Sequence, residues 1–146
     1  MSQESQTLII IPTYNEKPNL ALLLPDIFSR YPEINILIVD DGSPDGTGQF
    51  VKSQQEVYKN LNLLERKEKS GLGSAYIAGF RWALERDFEY VFEMDADYSH
   101  HPQYLADFLR EIQNADLVLG SRYKDGKISV VNWDWNRLLL SYCANI

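Results

Sequence analysis

The chain has 146 residues, of which 45% are hydrophobic and 24% are charged, and its net charge is −7. This length and composition predict a single globular domain over residues 1–146 and exclude a disordered chain. An acidic chain without a basic cluster is a poor nucleic-acid binder, because contacts with phosphates need Lys and Arg. We therefore expect no nucleic-acid partner.

The N-terminal residues and the single cysteine bear on the compartment. The first six residues lack the basic start and apolar stretch of a signal peptide. The longest apolar runs are too short to span a membrane. Cys143 cannot form an internal disulfide, and a lone thiol fits a reducing compartment. We therefore expect a cytoplasmic protein that is soluble or peripheral on the cytoplasmic face of a membrane.

Short apolar runs alternate along the chain with longer patterns of helical periodicity. The runs predict strands at 8–11, 34–39, 61–65, 90–94 and 117–120. The helical patterns lie at 17–30, 47–59, 74–86, 102–114 and from 133 to the last residue. The second helix should be capped by Asp45 or Thr47.

Two prolines and one glycine are expected to interrupt these elements. Pro12 should end the first strand, and Pro25 should kink or divide the first helix. Residues 123–130 contain Gly126 and several polar side chains, so they are predicted to form a mobile loop.

The alternation of strands and helices predicts an α/β fold with a mostly parallel, doubly wound sheet. Ligands of such sheets bind at the carboxyl ends of the strands. Polar clusters follow four of the predicted strands, and we expect them to outline one site. They are residues 14–16, 40–41, 95–97 and 121–122.

Asp95 and Asp97 are the strongest candidates for chemistry. In an extended chain residues two apart point the same way, so the two carboxylates should lie close together. At an effective dielectric near 20 they would repel by about 4 kcal/mol. A proton or a cation must offset this repulsion, and Mg²⁺ binds one or two carboxylates together with substrate phosphates. The alternative is a solvated, acidic strand end.

Asp40 and Asp41 are adjacent and should face opposite ways on their strand. One of them can face the ligand while the other accepts hydrogen bonds from amides of the following turn. The alternative is that both only form the turn. Residues 42–47 lead into a helix N-terminus, which favours anions.

Several further residues are candidate anion contacts. The segment GLGSA at 71–75 resembles a dinucleotide-binding loop. It lacks the full glycine spacing of that motif and follows the third strand rather than the first. The alternative is that its small residues allow close packing of the helix on the sheet. Arg66 and Lys69 could reach a phosphate or lie on a solvated face. One of His100 and His101 is expected to shape the turn before Pro102 rather than act as a ligand or base.

Later residues suggest a second anion site. Arg122 ends the fifth predicted strand. Arg137 and Ser141 are four residues apart and share a helix face, which suits an oxyanion. Trp133 and Trp135 precede them and suit either core packing or an apolar ligand or membrane interface.

Taken together, these motifs resemble those of dolichyl-phosphate (polyprenyl-phosphate) mannosyltransferases, members of inverting glycosyltransferase family 2 with the GT-A fold. The resemblance covers nearly the whole chain. Its motifs are PTYNE at 12–16, VDDGSPDGT at 39–47, GLG at 71–73, DADYSH at 95–100 and GSRY at 120–123. The later Trp133 or Trp135, Arg137, Ser141 and Asn145 also match this subgroup.

The resemblance implies a role for each matching residue. Asp95 and Asp97 would hold Mg²⁺ or Mn²⁺ on the donor's diphosphate, with Ala96 beside the donor and Asp97 in the reaction centre. Arg122 would contact a donor or acceptor phosphate, and Arg137 and Ser141 would contact the acceptor phosphate. The nucleoside would be held by Pro12, Tyr14, Glu16 and Asp41, with Asp40 beside them.

The reaction implied by the resemblance is transfer of mannose from GDP-mannose to a polyprenyl (dolichyl) phosphate at the cytoplasmic membrane face. A phosphate acceptor needs no general base, because its second pKa is near 6 and it is largely ionised at pH 7. Catalysis would then depend on positioning and charge stabilisation. No convincing base is found in the sequence.

The sequence departs from the family pattern at two places. Some members carry Gln where Ser99 stands, which puts a third metal ligand in doubt. The chain also stops at Ile146, inside the predicted acceptor helix. We therefore expect a C-terminally truncated domain that is incomplete on the acceptor side.

Four alternatives remain open. The first is a UDP-glucose-dependent polyprenyl-phosphate glucosyltransferase, and the second is a nucleotide-binding fragment without catalysis. The other two are a phosphatase of the haloacid dehalogenase type and a receiver domain of two-component signalling. In both of these the acidic motif belongs after the first strand, which disfavours them.

Overall fold

The computed structural model describes residues 2–121, together with the backbone of residues 123–124 and 127–128. The chain forms two compact units, with the boundary between Leu109 and Arg110. Within the described residues, no helix combines the length and the apolar character needed to cross a bilayer.

The first unit is built on a four-stranded sheet in which every pair of neighbouring strands is parallel. The spatial order of the strands is β3-β2-β1-β4. Unbroken apolar runs make β1 and β2 the buried centre of the sheet. The strands are β1 (Thr7–Thr13), β2 (Asn35–Asp40), β3 (Leu61–Glu65) and β4 (Tyr90–Glu93).

Helices cover both faces of this sheet. They are α1 (Lys17–Arg30), α2 (Thr47–Gln54) and α3 (Leu72–Leu84). Successive side chains of β1 point to opposite faces. Ile9 and Ile11 therefore pack in one core with residues of α1 and α2, while Leu8 and Ile10 pack in another with residues of α3. The doubly wound arrangement predicted from the sequence is confirmed.

The chain after β4 forms three short helical pieces over the predicted helix 102–114. They are a 3₁₀ turn at Pro102–Tyr104, α4 at Leu105–Glu111 and a second 3₁₀ turn at Ile112–Asn114. His101 Nδ1 accepts a hydrogen bond from the Gln103 N–H at 3.2 Å and so caps the first turn. The expectation that a histidine shapes the turn before Pro102 is confirmed.

Two predictions for the second unit are wrong. Residues 117–120 form no strand, and Leu117 and Leu119 are 71% and 79% exposed. An apolar run becomes a strand only when a neighbour accepts its backbone hydrogen bonds, and this run pairs with no described strand. Residues 123–130, predicted as a mobile loop, contain a short antiparallel pair of β5 (Tyr123–Lys124) and β6 (Lys127–Ile128).

The prolines interrupt less than predicted. Pro12 does not end β1, which continues to Thr13 with Pro12 in register with Val39. The backbone N–H and C=O groups of Ile10 point toward β4, since the C=O accepts a hydrogen bond from the Met94 N–H. Pro12 is two residues further on, so its backbone also points toward the β4 side of β1. β4 has already ended at this level, so the missing N–H of Pro12 removes no hydrogen bond of the sheet. Pro25 lies inside α1 but does not divide it.

Helix α2 ends at Gln54, five residues before the predicted end at residue 59. The chain turns here, with the N–H groups of Val57 and Tyr58 both donating to the Gln54 C=O. The Tyr58 ring then stacks on Phe28 of α1 at 4.3 Å between centroids. This contact between aromatic rings outweighs the helical pattern of the sequence.

Candidate active site

A cavity of about 340 Å³ opens at the carboxyl ends of the strands of the first unit. It lies between β1 and β4, which are neighbours in the sheet although β2 and β3 come between them in sequence. The strand order reverses at this point, and such a switch point is where open α/β sheets bind their ligands. The described residues that line the cavity are Pro12, Thr13, Tyr14, Glu16, Asp41, Lys69, Gly71, Leu72, Ala75, Asp95, Ala96 and Asp97.

Asp95 lies two residues after the end of β4 and is held by two neighbouring side chains, those of His100 and Tyr76. Its backbone N–H donates to His100 Nδ1 at 3.1 Å, and His100 Nε2 lies 3.9 Å from Asp95 Oδ2. The Tyr76 hydroxyl donates to Asp95 Oδ1 at 3.4 Å. Burial and the charge of Asp95 raise the pKa of Tyr76, so this phenol stays protonated and remains a donor. Asp95 is thereby oriented from both sides.

Asp97 lies two residues further on in a tight turn. Its Oδ1 accepts a hydrogen bond from the Ser99 N–H at 2.9 Å. Tyr98 between them adopts a positive φ of 62°. Burial opposes ionisation of Asp97, but hydrogen bonds from Ser99 and the proximity of His100 outweigh it and lower the pKa of this carboxyl. Asp97 is therefore an anion at neutral pH.

Asp40 and Asp41, at the end of β2, have different roles: Asp40 holds the following turn, and Asp41 lines the cavity. Asp40 is buried and accepts hydrogen bonds from the Thr13 hydroxyl at 2.9 Å, the Ser43 hydroxyl at 2.5 Å and the Ser43 N–H at 3.0 Å. It therefore fastens the turn after β2 to the end of β1. Asp41 instead lies in the wall of the cavity.

Asp41 is tied to the loop that follows β3. Its Oδ1 lies 3.0 Å from Arg66 Nε, and its Oδ2 accepts a hydrogen bond from the Ser70 N–H at 3.3 Å. Arg66 therefore pairs with a carboxylate, and it is not among the described residues that line the cavity.

Tyr14 and Glu16 are presented by the turn after β1. Asn15 has a positive φ of 61°, and its N–H donates to the Ser43 hydroxyl at 2.9 Å. The Glu16 N–H donates to the Thr47 hydroxyl at 3.1 Å. These bonds, to Ser43 in the turn after β2 and to Thr47 at the start of α2, hold Tyr14 and Glu16 against the cavity.

Lys69 is the only basic residue among the described residues that line the cavity, whereas four of these residues are acidic. Its Nζ lies 4.3 Å from the centroid of the Tyr14 ring, a cation–π distance. Four carboxylates against one ammonium group disfavour an anion such as a diphosphate unless a cation accompanies it.

Asp95 and Asp97 fit a hard divalent cation. Both supply carboxylate oxygens, and Mg²⁺ and Mn²⁺ prefer oxygen ligands. No group of three or more His, Cys, Asp and Glu side chains suited to a metal ion occurs in the part of the chain that the structure describes. Two carboxylates leave most coordination positions to water and substrate, which is typical of sites that bind a metal together with phosphates.

The structure brings together most of the residues that the sequence singled out. Of the eight expected to hold the nucleoside, the diphosphate or the metal, all but Asp40 line the cavity. Arg122, Arg137 and Ser141 lie outside the described residues, as does the predicted final helix. Sequence analysis missed Thr13, Leu72 and Ala75, although each of them lies within or next to a motif.

Gly71 and Leu72 line the cavity, and Gly71 has a φ of 90°. The close approach of a helix to the sheet, considered for the segment at 71–75, occurs instead at Gly79. A Cβ there would lie 2.6 Å from Ile10, whereas a Cβ on Gly73 would meet nothing within 4 Å.

Comparison with known proteins places these motifs in a family. The family model for glycosyl transferase family 2 matches residues 8–142. The chain is 46% identical over 142 residues to a polyprenol monophosphomannose synthase of Mycolicibacterium smegmatis, covering 96% of this chain and 53% of that protein. It is 45% identical over 141 residues to an undecaprenyl-phosphate mannosyltransferase of Micrococcus luteus, covering 97% of this chain and 58% of that protein. The chain thus spans a little over half the length of these curated relatives.

Solved structures share the fold. A mannosyltransferase from Pyrobaculum calidifontis, in complex with GDP-Man and Mn²⁺, superposes with a TM-score of 0.65 at 28% identity, covering 75% of this chain and 33% of that one. S. aureus TarS (residues 1–349) gives a TM-score of 0.61 at 22% identity, covering 82% and 40%, and this likeness bears on the fold alone. The α/β fold of the GT-A type is confirmed, and the chain belongs to glycosyl transferase family 2.

Proposed function

We propose that this chain is the donor-binding part of a metal-dependent inverting glycosyltransferase that moves mannose from GDP-mannose to a polyprenyl phosphate. One observation carries the proposal. Asp95 and Asp97, at the end of β4, share a cavity at the switch point of the sheet with Asp41 and Lys69. The relatives at 45–46% identity are named as a polyprenol monophosphomannose synthase and an undecaprenyl-phosphate mannosyltransferase.

The choice of donor and metal is supported by a neighbour in structure. The Pyrobaculum mannosyltransferase was solved with GDP-Man and Mn²⁺. In our chain the two ligands for a divalent cation are Asp95 and Asp97, of which Asp97 has a lowered pKa. We assign GDP-mannose as donor and Mg²⁺ or Mn²⁺ as cofactor on this basis.

The bound metal would neutralise the negative charge that builds on the departing nucleoside diphosphate. The residues of the chain do the remaining work. Lys69 adds one positive charge at the cavity wall, and the hydrogen bonds of Tyr76 and Ser99 hold the two aspartates in place. Such fixed charges stabilise a transition state because they need no rearrangement during the reaction.

In the proposed reaction an oxygen of the acceptor phosphate attacks the anomeric carbon of mannose from the side opposite the diphosphate. The bond from that carbon to the diphosphate oxygen breaks, and GDP leaves with the electron pair. The acceptor is already ionised at pH 7, so no side chain has to remove a proton. We assign the contacts with the acceptor phosphate to Arg122, Arg137 and Ser141, and we place the enzyme at the cytoplasmic face of a membrane through its acceptor.

A thermal-shift experiment tests the donor and the metal. The full 146-residue chain is heated with GDP, GDP-mannose, UDP or UDP-glucose, each with and without Mn²⁺. At a concentration 100 times its Kd a ligand stabilises a protein by about 2.7 kcal/mol, equivalent to roughly 5–10 °C in Tm here. We expect GDP and GDP-mannose to give this shift only with Mn²⁺.

The other outcomes separate the alternatives. A shift with UDP and UDP-glucose only would favour a glucosyltransferase. Binding of GDP-mannose without transfer of labelled mannose to undecaprenyl phosphate in detergent micelles would favour a nucleotide-binding fragment. The proposal fails if none of the four ligands stabilises the chain in the presence of metal.

A further inference from the structure

Arg66 is a nearly buried cation next to the cavity that the proposed reaction does not use. Its side chain is 14% exposed and that of its partner Asp41 is 7% exposed. The Arg66 N–H donates to the Asp40 C=O at 2.7 Å, so the backbone of Arg66 is fixed beside the end of β2. The guanidinium is thereby placed against Asp41 by the sheet itself.

The ion pair is poorly explained as a source of stability. Two charges lose their hydration on burial, and their attraction offsets this cost only when the remaining polar atoms are hydrogen-bonded. Among the described residues neither Asp41 Oδ1 nor Arg66 Nη1 has a hydrogen-bond partner of good geometry. A buried pair of this kind is weak evidence for stability, whereas its 3.0 Å contact sets the guanidinium directly against the Asp41 carboxylate.

The position of Asp41 indicates which part of a donor it can meet. A carboxylate repels phosphates and accepts hydrogen bonds from N–H and O–H groups. In a nucleoside diphosphate such donors belong to the base and the ribose. Asp95 and Asp97 lie after β4, while Asp41 lies after β2 on the other side of β1, so the two ends of the donor have separate carboxylates.

Building on the proposed function, we propose that Arg66 is a positioning residue for the donor's nucleoside. It acts through Asp41, whose carboxylate it holds at the cavity wall in the orientation that accepts the nucleoside's hydrogen atoms. The Ser70 N–H completes the arrangement from the other side. Arg66 itself touches no part of the donor.

The test compares two ligands that differ in the nucleoside. GDP with Mn²⁺ and inorganic pyrophosphate with Mn²⁺ are titrated by calorimetry into the full chain and into its Arg66→Met and Arg66→Lys variants. We expect Arg66→Met to raise the Kd of GDP about tenfold. The Kd of pyrophosphate should not change, and Arg66→Lys should give an intermediate value for GDP, since Lys keeps the charge but not the planar geometry.

Lys52→Met is the matched control. Lys52 forms an ion pair of 2.6 Å with Glu65, the residue before Arg66, but both side chains are about half exposed. Loss of this pair should leave both Kd values unchanged. A fall in Tm without a change in either Kd would describe a purely structural role.

Two results would overturn the proposal. One is an unchanged Kd of GDP in folded Arg66→Met, and the other is an equal rise for GDP and pyrophosphate. If circular dichroism shows that Arg66→Met is unfolded, Arg66→Lys decides by the same comparison. A wild-type chain that binds neither ligand would instead contradict the proposed function itself.

Discussion

Gly79 of α3 lies against Ile10 of β1 so closely that a Cβ at residue 79 would stand 2.6 Å from Ile10 Cγ2. Only a glycine permits this approach. The same helix carries Leu72 and Ala75, which line the cavity. The contact between Gly79 and Ile10 therefore sets the depth at which one wall of the candidate site lies.

Gly79→Ala should destabilise the fold by about 1–3 kcal/mol, the usual cost of overpacking a core. Urea denaturation of both proteins measures the difference. Gly73→Ala on the same helix is the control, because a Cβ there meets nothing within 4 Å. We expect that variant to be unchanged or more stable by up to about 1 kcal/mol. Equal effects of the two substitutions would contradict the packing role of Gly79.

Asp97→Asn should remove the Mn²⁺-dependent stabilisation by GDP and abolish mannose transfer while the fold remains intact. The amide keeps the shape of the side chain but loses the charge that a divalent cation needs. Asp97 is exposed, so the free energy of unfolding should change by less than about 0.5 kcal/mol. Thermal shifts with and without Mn²⁺ check this, with the exposed Asp87→Asn as control. A full metal-dependent shift in Asp97→Asn would exclude the ligand role.

The sheet edge of the candidate site was predictable because the rule for parallel sheets needs only the chain order of strands and polar residues. Tyr14, Asp41 and Asp97 each follow a recognisable strand, and all three line the cavity. The pairing of Arg66 with Asp41 was not predictable, because it depends on the register of β2 with β3. Sequence spacing does not report which charges meet across strands.

The elements that sequence analysis predicted wrongly depend on partners beyond their own residues. Residues 117–120 have the composition of a buried strand, but composition cannot supply a neighbouring strand. Pro12 was expected to end β1, and it is tolerated because β4 has already ended beside it. The last turn of the predicted α2 is lost where Tyr58 stacks on Phe28. In each case a tertiary contact, or its absence, decides the local structure.

Lys69→Met should weaken binding of GDP by about three- to tenfold, or roughly 0.6–1.4 kcal/mol, and leave guanosine binding unchanged. The ammonium group is the only positive charge among the described residues that line the cavity, so its partner should be the diphosphate. Calorimetry with both ligands measures the effect, which should shrink at high salt. Lys67→Met, an exposed position two residues away, is the control. An equal loss of guanosine affinity would show that Lys69 supports the base through Tyr14 instead.

Asp45→Ala should destabilise the fold by about 1 kcal/mol at pH 7, because it removes hydrogen bonds at the starts of two helices. The sequence predicted Asp45 or Thr47 as the cap of α2, but the N-cap is Gly46, and no side chain caps this helix end. Asp45 accepts hydrogen bonds from the N–H groups of Thr47 and Lys17 at 3.0 and 3.2 Å, and so joins the starts of α2 and α1.

Burial opposes ionisation of Asp45, but these bonds and that of the Thr47 hydroxyl lower its pKa. A lowered pKa in the folded state means that the stabilisation is complete above the unfolded pKa of about 4 and is lost as the pH falls through the folded value. The difference in free energy of unfolding between wild type and Asp45→Ala should therefore be constant from pH 7 to pH 5 and shrink toward pH 3. Urea denaturation at these three pH values measures it, and a difference that grows on acidification would mean that the fold raises this pKa.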